Sequence, residues 1–207
     1  MPTLPIELLL RQNTPMKRFV WPLICLACIA AAVFVSREVW HHPKLLHANV
    51  RLTMIAEHLR QMPDAAVIVG DSLVERSSIR ELCGLPVVNA GIGRATSASI
   101  MPVARMVKDR PLVVLAIGVN DGDSFAADYR ALVRELRPDI VVGVTAHRER
   151  NAVIEAAASA YVEPLPPEFL YDGVHYTVDG EKEWRQLLET GCPDAMNDHG
   201  ASAIIAS

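Results

Sequence analysis

The chain has 207 residues, 51% hydrophobic and 21% charged, with a formal net charge of −4. That composition excludes a disordered chain, and with no basic excess nothing in the charge suggests a nucleic-acid partner. It fits one domain with a core of its own and a short appendage.

The apolar excess collects near the N-terminus. Phe19 to Ser36 is a run of 18 residues without a charge, closed by Arg18 and Arg37. As a helix it would be about 27 Å long, close to the hydrocarbon thickness of a bilayer. A cleaved signal has an apolar core of about 7–15 residues and a small-residue cleavage site. This run instead ends Val33-Phe34-Val35-Ser36. The expectation is an uncleaved transmembrane signal anchor over residues 19–36, with secretion after cleavage as the alternative. Arg11, Lys17 and Arg18 precede it. The positive-inside rule then makes residues 1–18 a cytoplasmic tail and puts the remainder outside, in the periplasm of a bacterium. A start at Met16 instead of Met1 would shorten that tail.

His41 to Pro43 read as a polar joint. Leu45, Leu46, Val50, Leu52, Ile55, Leu59 and Met62 then recur at helical spacing until Pro63. Residues 37–63 are therefore expected to form a stalk or linker helix, lying either on the domain or on the membrane face.

From Asp64 the pattern changes. Short apolar runs occur at 65–69, 86–89, 112–117 and 140–144, with a weaker one at 160–162. Continuous β-branched runs predict strands buried on both faces, hence a parallel sheet covered by helices. Helical patterns alternate with them at about 73–83, 97–108, 124–137, 148–158 and 179–190. The fold class is a doubly wound α/β domain over residues 64–191, followed by a tail at 192–207.

In such a sheet, functional groups collect at the carboxyl ends of the strands. Four blocks stand there: Gly70-Asp71-Ser72; Asn89-Ala90-Gly91-Ile92-Gly93-Arg94; Gly118-Val119-Asn120-Asp121; and Asp172-Gly173-Val174-His175. A serine hydroxyl needs a base to become a nucleophile, and His175 is a candidate for Ser72. Asp172 could orient that imidazole and stabilise its cation. The Asn120 amide could face a developing oxyanion, with backbone N–H groups of Ser72 and of the glycine-containing loop as further donors. Each block alone is ordinary turn and cap chemistry; the four together are not.

The order Gly-Asp-Ser, Asn-x-Gly, Gly-x-Asn-Asp, Asp-x-x-His resembles that of the SGNH, or GDSL-type, serine hydrolases. The resemblance covers residues 64 to about 191. It implies a flavodoxin-like, three-layer α/β/α fold with strand order 2-1-3-4-5. It also implies Ser72 as nucleophile, His175 as base, Asp172 as its partner and Asn120 as oxyanion donor. Asp71, Asn89 and Asp121 are supporting residues. No cofactor or metal is implied. The family usually has glycine five residues after the asparagine of its second block. Arg94 stands at that position here, with Gly93 before it. Either Arg94 donates its N–H, if its φ allows, or the loop shifts and Gly93 donates. The Arg94 side chain could also meet an anionic substrate group.

With that strand order, the helices ending at Cys83 and before Cys192 share a face and an edge. A Cys83–Cys192 disulfide and two unrelated thiols are both open. The activities that follow are hydrolysis of an acetyl or short acyl ester on a small molecule, envelope glycan or lipid, or acyl transfer by the same serine. A binding module that has lost catalysis is a third reading.

Overall fold

The computed structural model describes residues 17–107, 109–157 and 160–192; in the first helix the side chains of residues 17–21 and 38–45 fall outside that description. Of the predicted tails at 1–18 and 192–207, residues 1–16 and 193–207 lie outside the described residues. The chain divides into two compact units, Met1–His47 and Ala48–Ser207.

Helix α1 (Lys17–Gln61) contributes to both units. The predicted joint at 41–43 falls within its range. In the first unit every residue from 22 to 37 is exposed, Leu23, Leu26, Ile29, Val33 and Phe34 among them. Among the described residues no helix is long and apolar enough to cross a membrane. The predicted span at 19–36 begins on residues whose side chains lie outside the description.

In the second unit, the last turns of α1 are part of the core. Ile55 and Leu59 are buried, with Leu52 and Met62 packed beside them. The sheet has six strands: β1 (Ala66–Gly70), β2 (Glu81–Leu82), β3 (Leu85–Gly91), β4 (Val113–Ala116), β5 (Ile140–Val142) and β6 (Ala160–Val162). Their order is β2-β3-β1-β4-β5-β6. All pairs are parallel except β2–β3. Without β2 the order is the 2-1-3-4-5 that the resemblance implies. Every residue of β1, β4 and β5 is buried, as continuous apolar runs require of a two-sided parallel sheet.

Side chains alternate along β1. Val67 and Val69 face a core built with α1, α3 (Met101–Met106), α4 (Phe125–Leu136) and α5 (Asn151–Glu155). Ala66 and Ile68 face a second core built with α2 (Ser72–Glu75) and α6 (Val178–Thr190), where Trp184 and Leu188 are fully buried. Trp184 thus packs, with its ring 5.1 Å from that of Tyr176.

Two predicted helices are corrected. Residues 73–83 do not form a single helix: α2 stops at Glu75 and residues 81–82 pair with β3. Leu82 faces Leu85, so Cys83 and Gly84 are a two-residue hairpin turn. Both have positive φ, 54° and 74°, as the hairpin turn whose twist matches its strands demands. Cys83 therefore lies at a turn and not at a helix end. It is nonetheless bonded to Cys192, with Cα atoms 5.5 Å apart. Similarly, the helix expected at 148–158 is a 3-10 turn (Arg148–Arg150) followed by the short α5.

Candidate active site

Strand register brings the site together. Gly70 pairs with Gly91 on one side and Ala116 on the other, so β1, β3 and β4 end level at one edge. A Cβ on Gly70 would lie 2.2 Å from the Ala116 carbonyl oxygen, so only glycine allows this approach. Asp71 follows, fully buried, and caps α2 by accepting the Leu73 N–H at 3.0 Å. Ser72 is thereby the first residue of α2. Its N–H sits where a helix has no internal acceptor.

The loop after β6 returns to this point. Leu170 bridges Tyr176, and the Tyr171 N–H donates to the His175 carbonyl at 3.0 Å. Gly173 takes φ 79° inside this turn. Asp172 Oδ1 accepts the backbone N–H groups of His175 (2.7 Å) and Val174 (3.0 Å), and Oδ2 lies 2.7 Å from His175 Nδ1. The His175 backbone bond, then its side-chain bond, hold the Asp172 carboxyl down to about 2. An ionised carboxylate only accepts, so Nδ1 carries the ring proton and Nε2 of the neutral ring is an acceptor. Nε2 lies 2.9 Å from Ser72 Oγ. Ser72, His175 and Asp172 thus form one hydrogen-bonded chain, with a serine O–H donating to a histidine that a carboxylate orients.

The other two blocks meet each other. The Ile92 N–H donates to Gly70 O, and the Ala95 N–H to Ile92 O, both at 3.0 Å. Residues 92–95 are thus a tight turn. Arg94, at its third position, has φ 65°. That is the slot where a type II turn prefers glycine. The loop does not shift to make Gly93 the left-handed residue; Arg94 takes the glycine conformation itself, with its side chain exposed. Among the described residues no hydrogen bond joins Gly93 or Arg94 to the Ser72–His175–Asp172 chain.

Asn120 is exposed, and its amide donates to Ala95 O at 3.1 Å, leaving the second amide hydrogen for another acceptor. Asp121 is buried and accepts the Ser97 N–H at 2.9 Å. Asn89 is structural in its contacts. Its amide donates to Val74 O (2.5 Å) and Ser77 O (3.1 Å), and its Oδ1 accepts the Gly91 N–H (3.1 Å), so it binds α2 to the end of β3.

Beside His175 is a cleft of about 240 Å³, lined by Leu73, Arg76, Ser77, Tyr171, Tyr176 and Glu181. Tyr171 stacks on the His175 ring at 5.8 Å and accepts Arg76 Nη1 at its hydroxyl (2.6 Å). Sequence reasoning passed over Tyr171 and Arg76. Adjacency of Tyr171 to Asp172 was the only available signal. Among the described residues no group of three His, Cys, Asp or Glu side chains is placed to hold a metal ion.

No protein-family model and no curated protein matches the chain. Solved structures do. A Streptococcus pneumonia protein described as a platelet activating factor superposes with a TM-score of 0.55 at 18% identity, over 81% of this chain and 99% of that one. AlinE4, an SGNH-hydrolase family esterase, superposes with a TM-score of 0.40 at 17% identity, over 68% of this chain and 96% of its own. At such identities the first likeness shows the fold alone, and the second is too loose to carry an argument.

Proposed function

We propose that the domain is a serine ester hydrolase of the SGNH type. The observation that carries this reading is the Ser72–His175–Asp172 chain, with contacts of 2.9 and 2.7 Å.

In the reaction, the Ser72 oxygen attacks the ester carbonyl while its proton passes to His175 Nε2. Asp172 stabilises the imidazolium. The tetrahedral oxyanion takes hydrogen bonds from the free Asn120 N–H, the Ser72 N–H and a backbone N–H of the 92–95 turn. His175 then gives its proton to the leaving alcohol, and an acyl-serine remains. Water loses a proton to His175, attacks the acyl carbon and releases the acid, and the proton returns to Ser72. The ester is an acetyl or short acyl group on an envelope glycan or lipid. Residues 19–36 anchor the chain in the cytoplasmic membrane with the catalytic domain in the periplasm. The exposed apolar side chains of residues 23–35, the arginines closing the run and the Cys83–Cys192 disulfide support that placement.

The test is full-length protein in mild detergent beside Ser72→Ala, each given a fluorophosphonate probe and a nitrophenyl acetate. Labelling and turnover should both vanish in the variant. Folded wild-type protein that neither labels nor turns over would leave a binding module instead.

A further inference from the structure

Two arginines from outside the four motif blocks grip the loops that carry the proposed oxyanion donors. Arg51, on α1, puts Nε and Nη2 on the Gly91 carbonyl at 3.0 and 2.8 Å. Nη2 also reaches Asn89 Oδ1 at 3.2 Å, and the Glu75 carboxylate lies 3.5 Å from Nε. Gly91 is where β3 becomes the loop leading to Arg94. A Cβ there would lie 2.2 Å from the Glu75 nitrogen, so this strand end rests directly on α2. Arg150, after β5, donates Nη1 to Gly118 O and Nη2 to Asp121 O, the latter at 2.7 Å. It therefore spans the first and last residues of the segment holding Asn120. Its guanidinium lies over the Phe125 ring, 5.1 Å from the centroid.

The two gripped loops are themselves joined, by Asn120 to Ala95 O and by the Ser97 N–H to Asp121. A continuous path of hydrogen bonds and short backbone segments thus runs from Arg51 through Gly91, Ala95 and Asn120 to Arg150. Strand-end carbonyls that leave the ladder need donors when buried. A guanidinium supplies several in a fixed plane and keeps its charge, whereas an ammonium is a single point on a flexible stem.

We propose that Arg51 and Arg150 are positioning residues that fix the two oxyanion loops; this rests on the hydrolase reading above. On this assignment the last turns of α1, from Ala48 on, are part of the catalytic domain, because one of the two clamps comes from them. Misplacing an oxyanion donor by about an ångström lowers turnover by about ten- to hundred-fold.

The experiment uses full-length protein in detergent with Arg51→Met, Arg51→Lys, Arg150→Met and Arg150→Lys, and with Arg185→Met as a surface control. It reads kcat and KM on a nitrophenyl acetate and, separately, amide hydrogen exchange. Expected for the methionine variants is about a ten- to hundred-fold loss of kcat with KM within about threefold, and no more than partial recovery with lysine. Exchange should quicken in residues 91–97 for Arg51 and 118–125 for Arg150, with β1 and β4 still protected. Three results would overturn the assignment: kcat within about threefold in both methionine variants, full recovery by lysine, or exchange rising equally across β1 and β4. Folded wild-type protein that neither labels with a fluorophosphonate nor turns over would end the hydrolase reading. The exchange arm then decides the clamps alone, with local quickening keeping them and any other pattern removing them.

Discussion

Asp71 gives the sharpest test of how the site is built. Its side chain is fully buried, and burial pushes its carboxyl up to about 6, against the pull of the Leu73 and Val119 N–H groups. The nearby Asp121 carboxylate adds to the rise. Folded protein therefore holds this proton more tightly than the unfolded chain, whose value is 3.8. Stability from this group is gained as the pH falls from about 6 through 3.8, the reverse of a salt-bridged aspartate. The perturbation is Asp71→Asn, which keeps an acceptor for the Leu73 N–H and cannot titrate. Relative to the variant, the wild type should gain about 2 kcal/mol between pH 7 and pH 4, and about 3 kcal/mol at the acid limit. Above pH 7 the difference between the two should be flat. Urea midpoints for both proteins at half-unit pH steps measure this. Taking the difference removes the titrating groups that do not interact with Asp71; Asp121 and His175 are coupled to it. A difference that is constant across the range, or that grows with rising pH, refutes the reasoning.

Two further outcomes follow from backbone and cross-link. Arg94→Gly removes the side chain from a left-handed position, which relieves about 1–2 kcal/mol of strain. Glycine's extra unfolded freedom offsets about 0.4–1 kcal/mol of it. The variant should be as stable as the wild type or slightly more so in urea melts, with kcat within a few-fold; a tenfold loss would show that the arginine side chain itself serves the substrate. Cys83→Ser opens a link across 109 positions of chain. The loop-entropy estimate for that length is about 5 kcal/mol, an upper figure to be compared with the measured shift in urea midpoint. Non-reducing peptide mapping should recover Cys83 joined to Cys192, and two free thiols would contradict it.

The strands were readable because a two-sided sheet writes its burial as continuous apolar runs, and even the weak run at 160–162 is β6. The hairpin was missed because residues 73–82 alternate compatibly with a helix. Its one local marker was the Cys83-Gly84 pair, and only its two positive φ values show what that pair does. The shared face of α2 and α6 was read correctly through the strand order, although Cys83 proved to sit beyond α2. The polar blocks could be placed because each follows a strand end. Asp71 illustrates that a cap and a site are not alternatives: it caps α2 and by doing so presents Ser72. Arg51 and Arg150 could not have been found this way. They bind carbonyl oxygens 40 and 32 positions distant, and a bond to a carbonyl requires no particular residue at its acceptor end. The apolar spacing at the end of α1 was legible as a face that packs, and Ile55 and Leu59 on it are in the core.

Ser72 and His175 are separated by 103 positions. The serine therefore emerges early in synthesis, and its partner comes only after β6, the last strand. A chain made only as far as β5 has the central strands and the Ser72 hydroxyl but lacks His175, the imidazole that lies against it, and an unassisted serine is a poor nucleophile. The hydrogen-bonded chain is complete only once the segment around Asp172 has been made and lies beside Ser72. The Cys83–Cys192 cross-link draws on chain made later still, beyond α6.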